Sequence, residues 1–212
     1  MVLQATTFFS REIIINNYPL EHQGVNTLAL RVDYQAKKSA ATSEKTETSR
    51  IYQLLNQLII NYPHETDFWE VLNCYLTKNL LARVPNLLSV TLTLAVHPNS
   101  VFPYHRSSTV TQTSRGIQRE SFHFDFRSRV MEKIGPQFSQ INVDYTYKPN
   151  PSKSDYPDFI PIYQQIDNFL SQNFSRYPTW EVMQQQLRQT LLQENPRISS
   201  LSLEWPYCLK NQ

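Results

Sequence analysis

The stretch that decides the fold is IYQLLNQLIINYPHETDFWEV, residues 51–71, because it recurs as IYQQIDNFLSQNFSRYPTWEV at residues 162–182. The copies are 111 residues apart, and the alignment continues without a gap to Leu94. It contains twelve identities in 44 positions, whereas unrelated sequences of ordinary composition would share about two or three. The same offset aligns Glu21 with Glu132. The sequence therefore predicts an internal duplication.

Each copy forms one predicted domain, residues 1–115 and residues 116–212. Apolar residues that alternate along the chain predict strands, and a stripe of them every three to four residues predicts helices. In the first copy we predict strands at 6–15 and 27–35, a polar loop at 36–49, helices at 51–62 and 67–83, and strands at 88–96 and 107–113. In the second we predict strands at 122–126 and 140–147, a proline-rich connection at 148–161, helices at 162–173 and 179–194, and a strand at 199–205. The counterpart of the fourth strand would fall beyond Gln212, so the second copy is expected to lack it.

Composition excludes several classes of site. The chain has only three glycines among 212 residues, too few and too dispersed for a phosphate-binding loop or a dinucleotide fingerprint. Two of them, Gly24 and Gly135, are equivalent in the repeat and predict a turn with positive φ. The five histidines have no zinc-site spacing, so no metal is expected. A net charge of +2 makes nucleic acid an unlikely partner.

The cellular compartment is predicted from sequence features that are missing. No apolar run approaches the 18 or more residues of a membrane span, and the first residues do not have the pattern of a signal peptide. Cys74 and Cys208 form neither a CxxC pair nor a disulfide framework. We therefore expect a cytoplasmic protein without a membrane partner.

The order strand, strand, helix, helix, strand, strand resembles the tunnelling fold, or T-fold. Within that superfamily the first copy looks most like dihydroneopterin aldolase, over residues 13–113. The motifs that carry this resemblance are PLEHQG at 19–24, TSRIY at 48–52, FWEVL at 68–72 and HPNSVFP at 97–103.

The C-terminal segments YPTWE at 177–181 and SLEWP at 202–206 are similar to helix and strand segments of urate oxidase, a T-fold family with two copies in tandem. The predicted fold class is therefore α+β: two tandem T-fold units, each an antiparallel β-sheet with a pair of helices on one face. Open sheet edges invite closure by other subunits, so a homo-oligomer is expected.

The resemblance implies a site for a flat pterin- or purine-like heterocycle between subunits, anchored by a carboxylate on the second helix. An ionised carboxylate only accepts hydrogen bonds and can take two adjacent N–H groups from such a ring. Glu70 matches the anchor, Tyr52 a tyrosine that borders the aldolase site, and Glu21 an acidic residue of the early loop. Their equivalents in the second copy are Glu181, Tyr163 and Glu132.

The sequence departs from the aldolase pattern at the catalytic lysine, which that family carries after the strand that follows the second helix. Val96-His97 and Tyr207-Cys208 occupy this place. His97 is the acid–base candidate there, and no cofactor is implied. Whether the chain is an enzyme is left open; if active, it would be an aldolase-like lyase or urate oxidase-like.

Structural roles remain open for the same residues. A glutamate in the first turn of a helix is favoured by the helix dipole alone, the tyrosines could pack on helix faces, and Glu21 and Glu132 could be ordinary turn residues. The missing lysine and the absent last strand favour an alternative function, a non-catalytic oligomeric assembly or protein-interaction module on a T-fold scaffold.

Overall fold

The computed structural model describes residues 8–37, 44–128, 132, 140–149, 156 and 158–205. This part of the chain is α+β, with four helices and a seven-stranded antiparallel sheet in the order β1-β2-β3-β4-β5-β6-β7. The strands are β1 Phe8–Glu21, β2 Val25–Lys37, β3 Leu87–Val96, β4 Arg106–Thr113, β5 Gly116–Arg127, β6 Gln140–Tyr147 and β7 Ile198–Glu204. The helices are α1 Glu44–Ile60, α2 Trp69–Arg83, α3 Phe159–Asn173 and α4 Trp180–Glu194.

The chain divides into two compact units. The first unit takes the chain up to His97 together with Ser107–Glu120, and the second takes Pro98–Arg106 together with the chain from Ser121 onward. In the first unit α1 packs against α2, and α2 packs on β3; in the second, α3 packs against α4, and α4 on β7.

Strand β2 shows why the sheet of the first unit has one apolar and one polar side. Its alternate residues Leu28, Leu30 and Val32 are fully buried or nearly so, as the period of two of a strand requires. The opposite side of the neighbouring strands is polar, and hydroxyl groups pair across it: Thr91 with Thr111 and Thr93 with Thr109, each at 2.9 Å.

The two units pair their strands in the same register once 111 is subtracted from the residue numbers of the second unit. Val32 faces Leu92 between β2 and β3, and Val143 faces Leu203 between β6 and β7. Both pairings contain an irregularity at the same place, after Gln35 in the first unit and after Thr146 in the second. The sequence repeat is thus matched residue by residue in the sheet.

Two predicted segments were wrong at their ends. The predicted loop 36–49 is helical from Glu44, because the side chain of Glu47 is buried and the hydroxyl groups of Thr48 and Tyr34 bond at 2.7 Å. These are tertiary contacts that a polar sequence does not reveal. In the second unit the helix begins at Phe159 rather than 162, because the Asp158 carboxylate accepts from the Ile160 amide and caps it.

The first strand also runs further than predicted. Pairing with β2 shifts between Ile15 and Tyr18, where Asn17 has positive φ, and then continues to Glu21. Gly24 has the expected positive φ of 97°. Gly135, its equivalent, lies outside the described residues, as does Tyr207-Cys208, the place that corresponds to the aldolase lysine in the second copy.

Candidate ligand-binding site

The turn between β1 and β2 is held by hydrogen bonds within its backbone and from one side chain. Gln23 and Gly24 both have positive φ, and the His22 amide donates to the Gly24 carbonyl at 2.9 Å. The Asn26 side chain closes the turn by donating to the carbonyls of His22 and Gly24 at 2.8 and 3.0 Å. Because these bonds satisfy backbone groups within the turn, the backbone that follows Glu21 has a defined conformation.

This turn docks on the connection between α1 and α2. The Gln23 amide donates to the Glu65 carbonyl at 2.7 Å, and the Gln23 side chain donates to the Asp67 carbonyl at 3.0 Å. Across the connection, the Tyr62 hydroxyl donates to the Asp67 carboxylate at 2.6 Å. These bonds fix the turn to the α1–α2 connection, and Glu21 and Leu72 of α2 line one cavity.

His22 sits beneath the turn, with 2% of its surface exposed. Its ring centroid lies 4.6 Å from that of Trp69, edge to face, and 5.9 Å from that of Tyr62. Burial lowers the pKa of His22, while a hydrogen bond with the Asp67 backbone and the Asp67 charge oppose the shift only in part. The imidazole is therefore neutral at pH 7.

The side chains around His22 enclose a cavity of about 180 Å³ in the first unit. Its walls are apolar where Leu20, Ile59 and Leu72 face it, and polar where Glu21 and Glu65 face it. Tyr62 also lines it, and burial and the Asp67 carboxylate raise the pKa of that phenol. The phenol therefore stays protonated and bonded to Asp67.

Glu70 lies in the first turn of α2 with only 3% of its surface exposed. The residue before the helix, Phe68, supplies no side-chain cap, so a carboxylate in the first turn complements the free amide groups there. The helix itself is held firmly, since the Asn73 side chain donates to the carbonyls of Leu92 and Ser108 at 3.0 and 2.9 Å. Glu70 is thus a buried carboxylate on a rigid element.

The other residues of the first copy that were predicted for the site lie on different elements. Tyr52 is 46% exposed on α1 and lies beside Tyr18, whose pKa is raised by burial and by Tyr52. His97 follows β3, and its amide donates to the Thr27 carbonyl at 2.9 Å. The cavity described above is lined by Glu21 but not by Tyr52 or Glu70.

The equivalent residues of the second copy have different surroundings. Glu181 is exposed, and bonds from its own amide and from the Thr179 hydroxyl lower its pKa. The Tyr163 hydroxyl donates to the Arg127 carbonyl at 3.1 Å, with its ring stacked 5.5 Å from that of Tyr104. Glu132 is exposed.

The contrast between Glu70 and Glu181 comes from what covers each helix. In the first unit, β4 and the start of β5 cover α2. Asn73 bonds to Ser108, Thr77 to Gln112 at 3.0 Å, and the Cys74 thiol to Glu120 at 3.2 Å. On α4 of the second unit, by contrast, Val182 is 44% exposed.

Sequence reasoning missed the residues that build the cavity. His22 lies inside the PLEHQG motif, and the spacing of the histidines predicts no metal site. The helices predicted at 51–62 and 67–83 place Tyr62 and Asp67 at their ends, and neither pattern predicts a cavity. The only signal for their association was that Glu21 and Glu70 both matched one family pattern.

None of the helices within the described ranges combines the length and apolar character needed to cross a membrane. Over the same ranges, no group of three or more histidine, cysteine, aspartate or glutamate side chains is arranged to hold a metal ion.

Comparison with known proteins gives the fold. No protein-family model and no curated protein matches the sequence. Among solved structures, the chain is similar to a uricase from Bacillus fastidious, with a TM-score of 0.57, 13% identity, and coverage of 94% of this chain and 84% of the other. It is also similar to the urate oxidase of Bacillus sp. TB-90, with a TM-score of 0.57, 11% identity, and coverage of 94% and 86%. The chain therefore has the tunnelling fold of the urate oxidases.

Proposed function

We propose that this chain is a tandem T-fold protein that binds a purine- or pterin-like heterocycle through Glu70 at a subunit interface. The observation that carries the proposal is the buried carboxylate of Glu70 on a rigid helix, in a chain with the fold of urate oxidases. Those proteins take their name from urate, a purine. The dihydroneopterin aldolase resemblance of the first copy extends the ligand class to pterins.

The chemistry of Glu70 suits such a ligand. A carboxylate with 3% exposure is shielded from water, so its hydrogen bonds to two ring N–H groups gain strength from the low local dielectric constant. The same burial means that its present contacts must open before a ring reaches it. We therefore expect association to be slower than the diffusion limit, because binding requires a conformational change.

The tandem arrangement is supported by the common register of the two units. The pairs Val32–Leu92 and Val143–Leu203, and the irregularity that follows each, are related by the same offset as the sequence repeat. In this arrangement the first copy comprises residues 1–115 and the second residues 116–212.

The subunit interface is supported by strand β1, which is first in the sheet order. Phe8 is 61% exposed and Ile14 57% exposed on this long strand. An apolar edge strand is a template for pairing with another chain. We expect a homo-oligomer, to be measured by light scattering coupled to size exclusion, and expect Ile14→Lys to dissociate it.

The test of ligand binding uses the repeat as its own control. Thermal shift and calorimetry with urate, guanine, xanthine and neopterin should detect at least one ligand. Glu70→Gln should weaken its binding about tenfold or more, because the amide offers a donor where the ring needs an acceptor. Glu181→Gln changes the equivalent exposed residue and should leave binding unchanged. The assignment to Glu70 would be overturned if the wild-type chain bound none of these ligands, or if both variants lost affinity equally.

Turnover is a separate proposal that rests on His97. If the bound ring reacts, His97→Ala should abolish product formation while leaving the affinity measured by calorimetry unchanged.

The second candidate function is the non-catalytic assembly or interaction module. Two observations support it. Phe8 and Ile14 on β1 are exposed apolar side chains, and the exposed Glu181 carboxylate bonds to its own amide and to the Thr179 side chain. An oligomer that binds none of the heterocycles would favour this function.

A further inference from the structure

Strand β7 is the last strand in the order of the described sheet, so one of its two edges has no strand beside it within the described residues. In the first unit, the equivalent strand β3 has β4 on that side. An edge strand presents backbone amide and carbonyl groups that can pair with another chain. Because the two units share their register, the contacts of β4 indicate what a strand added beside β7 would meet.

A side-chain amide on the covering helix marks the place of that strand in both units. The Asn73 side chain donates to the Leu92 carbonyl of β3 at 3.0 Å and to the Ser108 carbonyl of β4 at 2.9 Å, so it bridges the two strands. Its equivalent, Gln184, donates to the carbonyl of Leu203 on β7, which is the equivalent of Leu92. A side-chain amide has two N–H groups. Gln184 can therefore bridge β7 to an added strand as Asn73 bridges β3 to β4.

The contacts of β4 also show where the side chains of such a strand would lie. The hydroxyl groups of Thr109 and Thr93 bond at 2.9 Å, and the Thr77 hydroxyl donates to the Gln112 side chain at 3.0 Å. Between these two positions of β4, Val110 is fully buried. Along the strand, position 109 thus meets the neighbouring strand, position 110 the core, and position 112 the helix.

The second unit has charged residues at the two equivalent contact positions. Glu204 on β7 takes the place of Thr93, Arg188 on α4 takes the place of Thr77, and both are exposed. Opposite charges across a strand pair stabilise it and like charges destabilise it. A strand beside β7 should therefore have a basic residue opposite Glu204, an apolar residue next, and an acidic residue two positions further on, facing Arg188.

Strand β1 of a second copy does not have this pattern. It lies at the other end of the described sheet, and its sequence FFSREIIINNYPLE contains one basic residue, Arg11. The residue three positions after Arg11 is Ile14 and not an acidic residue. Charge complementarity therefore favours a different protein as the occupant of the β7 edge.

We propose that β7 and α4 bind an extended segment of another protein, which adds to the sheet as an antiparallel strand beside β7. Over four successive positions this segment has a basic residue first, an apolar residue second and an acidic residue fourth. Backbone bonds to β7 and the Gln184 bridge hold the segment, while Glu204 and Arg188 select its charges. None of the residues of the proposed heterocycle site takes part, so either proposal can fail without the other.

The experiment compares two fluorescent peptides of identical composition, both derived from the β4 sequence RSSTVTQT. The matched peptide carries Thr109→Lys and Gln112→Glu, and the exchanged peptide carries Thr109→Glu and Gln112→Lys. By fluorescence anisotropy, the full chain should bind the matched peptide about tenfold more tightly, and hydrogen exchange should slow at the amides of β7. Equal affinities, no saturable binding, or slowing only outside β7 would overturn the proposal.

Variants test whether the two charges select the peptide. The double variant Arg188→Glu with Glu204→Lys changes exposed residues and should reverse the preference between the peptides. Gln184→Leu should weaken binding of the matched peptide about tenfold, whereas Glu70→Gln should leave it unchanged. A double variant that keeps the original preference would refute the site. If the double variant changes its mass in light scattering and neither peptide binds the wild-type chain, β7 is an interface between copies and the proposal is wrong.

Discussion

The pH dependence of stability should reveal the histidine that bridges two strands of the second unit. His123 on β5 lies between two carboxylates: its Nδ1 bonds to Asp144 at 2.9 Å and its Nε2 to Asp125 at 3.1 Å. Burial alone lowers the pKa of His123, but the two hydrogen bonds and the two charges outweigh it and raise the pKa to about 9. The protonated ring therefore contributes stability at neutral pH.

The sign and the window follow from linkage. Between 6.5, the ordinary value, and about 9, the folded chain binds a proton that the unfolded chain does not, so stability falls as the pH rises. The stabilisation by protonated His123 is complete below pH 6.5 and is lost above about pH 9. At 1.36 kcal/mol per pH unit, the whole shift corresponds to about 3 kcal/mol. Because the Asp144 side chain is 51% exposed, solvent screening reduces this to about 1–2 kcal/mol.

The perturbation is Asp144→Asn, with Asp33→Asn as its control. We expect the free energy of unfolding of Asp144→Asn to be lower by about 1 kcal/mol at pH 6.5 and to fall less between pH 6.5 and 9 than that of the wild-type chain. By NMR, His123 should titrate at a lower pH in this variant. Asp33 is the repeat equivalent, but it bonds to Arg31 at 3.0 Å, which does not titrate in this range. A urea-unfolding free energy that is flat from pH 6.5 to 9 in the wild-type chain would refute the reasoning.

Two further predictions concern the helices. Leu76→Ala and Leu187→Ala remove fully buried side chains at equivalent positions, and each should cost about 2–5 kcal/mol in urea unfolding; a loss below about 1 kcal/mol would contradict the core described here. Thr179→Ala removes the side chain that accepts from the Val182 amide at 3.4 Å and caps α4, and should cost about 1 kcal/mol. Thermal melts measure this loss, and an unchanged midpoint would mean that the cap contributes nothing.

The repeat made most of the fold predictable from the sequence. Core stripes such as Ile51 and Leu55, and the alternating Phe122, Phe124 and Phe126, are buried as their spacing indicates, because period alone decides which side of an element faces the core. Residues 44–49 were one of the exceptions. Their helical state depends on Thr48 meeting Tyr34, a contact that no local pattern encodes.

The candidate site was only partly predictable. The turn that follows Glu21 is bonded through Gln23 to the α1–α2 connection, whereas the predicted association of Glu21 with Glu70 stays a prediction. The difference between Glu70 and Glu181 could not be predicted, because equivalent residues in a repeat share their local sequence but not the strand that covers them. The burial of His22 was hidden for a related reason, since it depends on Trp69 arriving from another element.

The common register of the two units has a consequence for how the chain folds. Strand β2 presents to β3 the same pairing pattern that β6 presents to β7, including the irregularity. During folding, β2 therefore meets two segments of matching shape and register, only one of which is its native neighbour. Exchanged pairings of this kind are a characteristic failure of repeat proteins. The sequences of β3 and β7 differ outside the twelve identities, so we expect the exchanged pairing to be less stable than the native one.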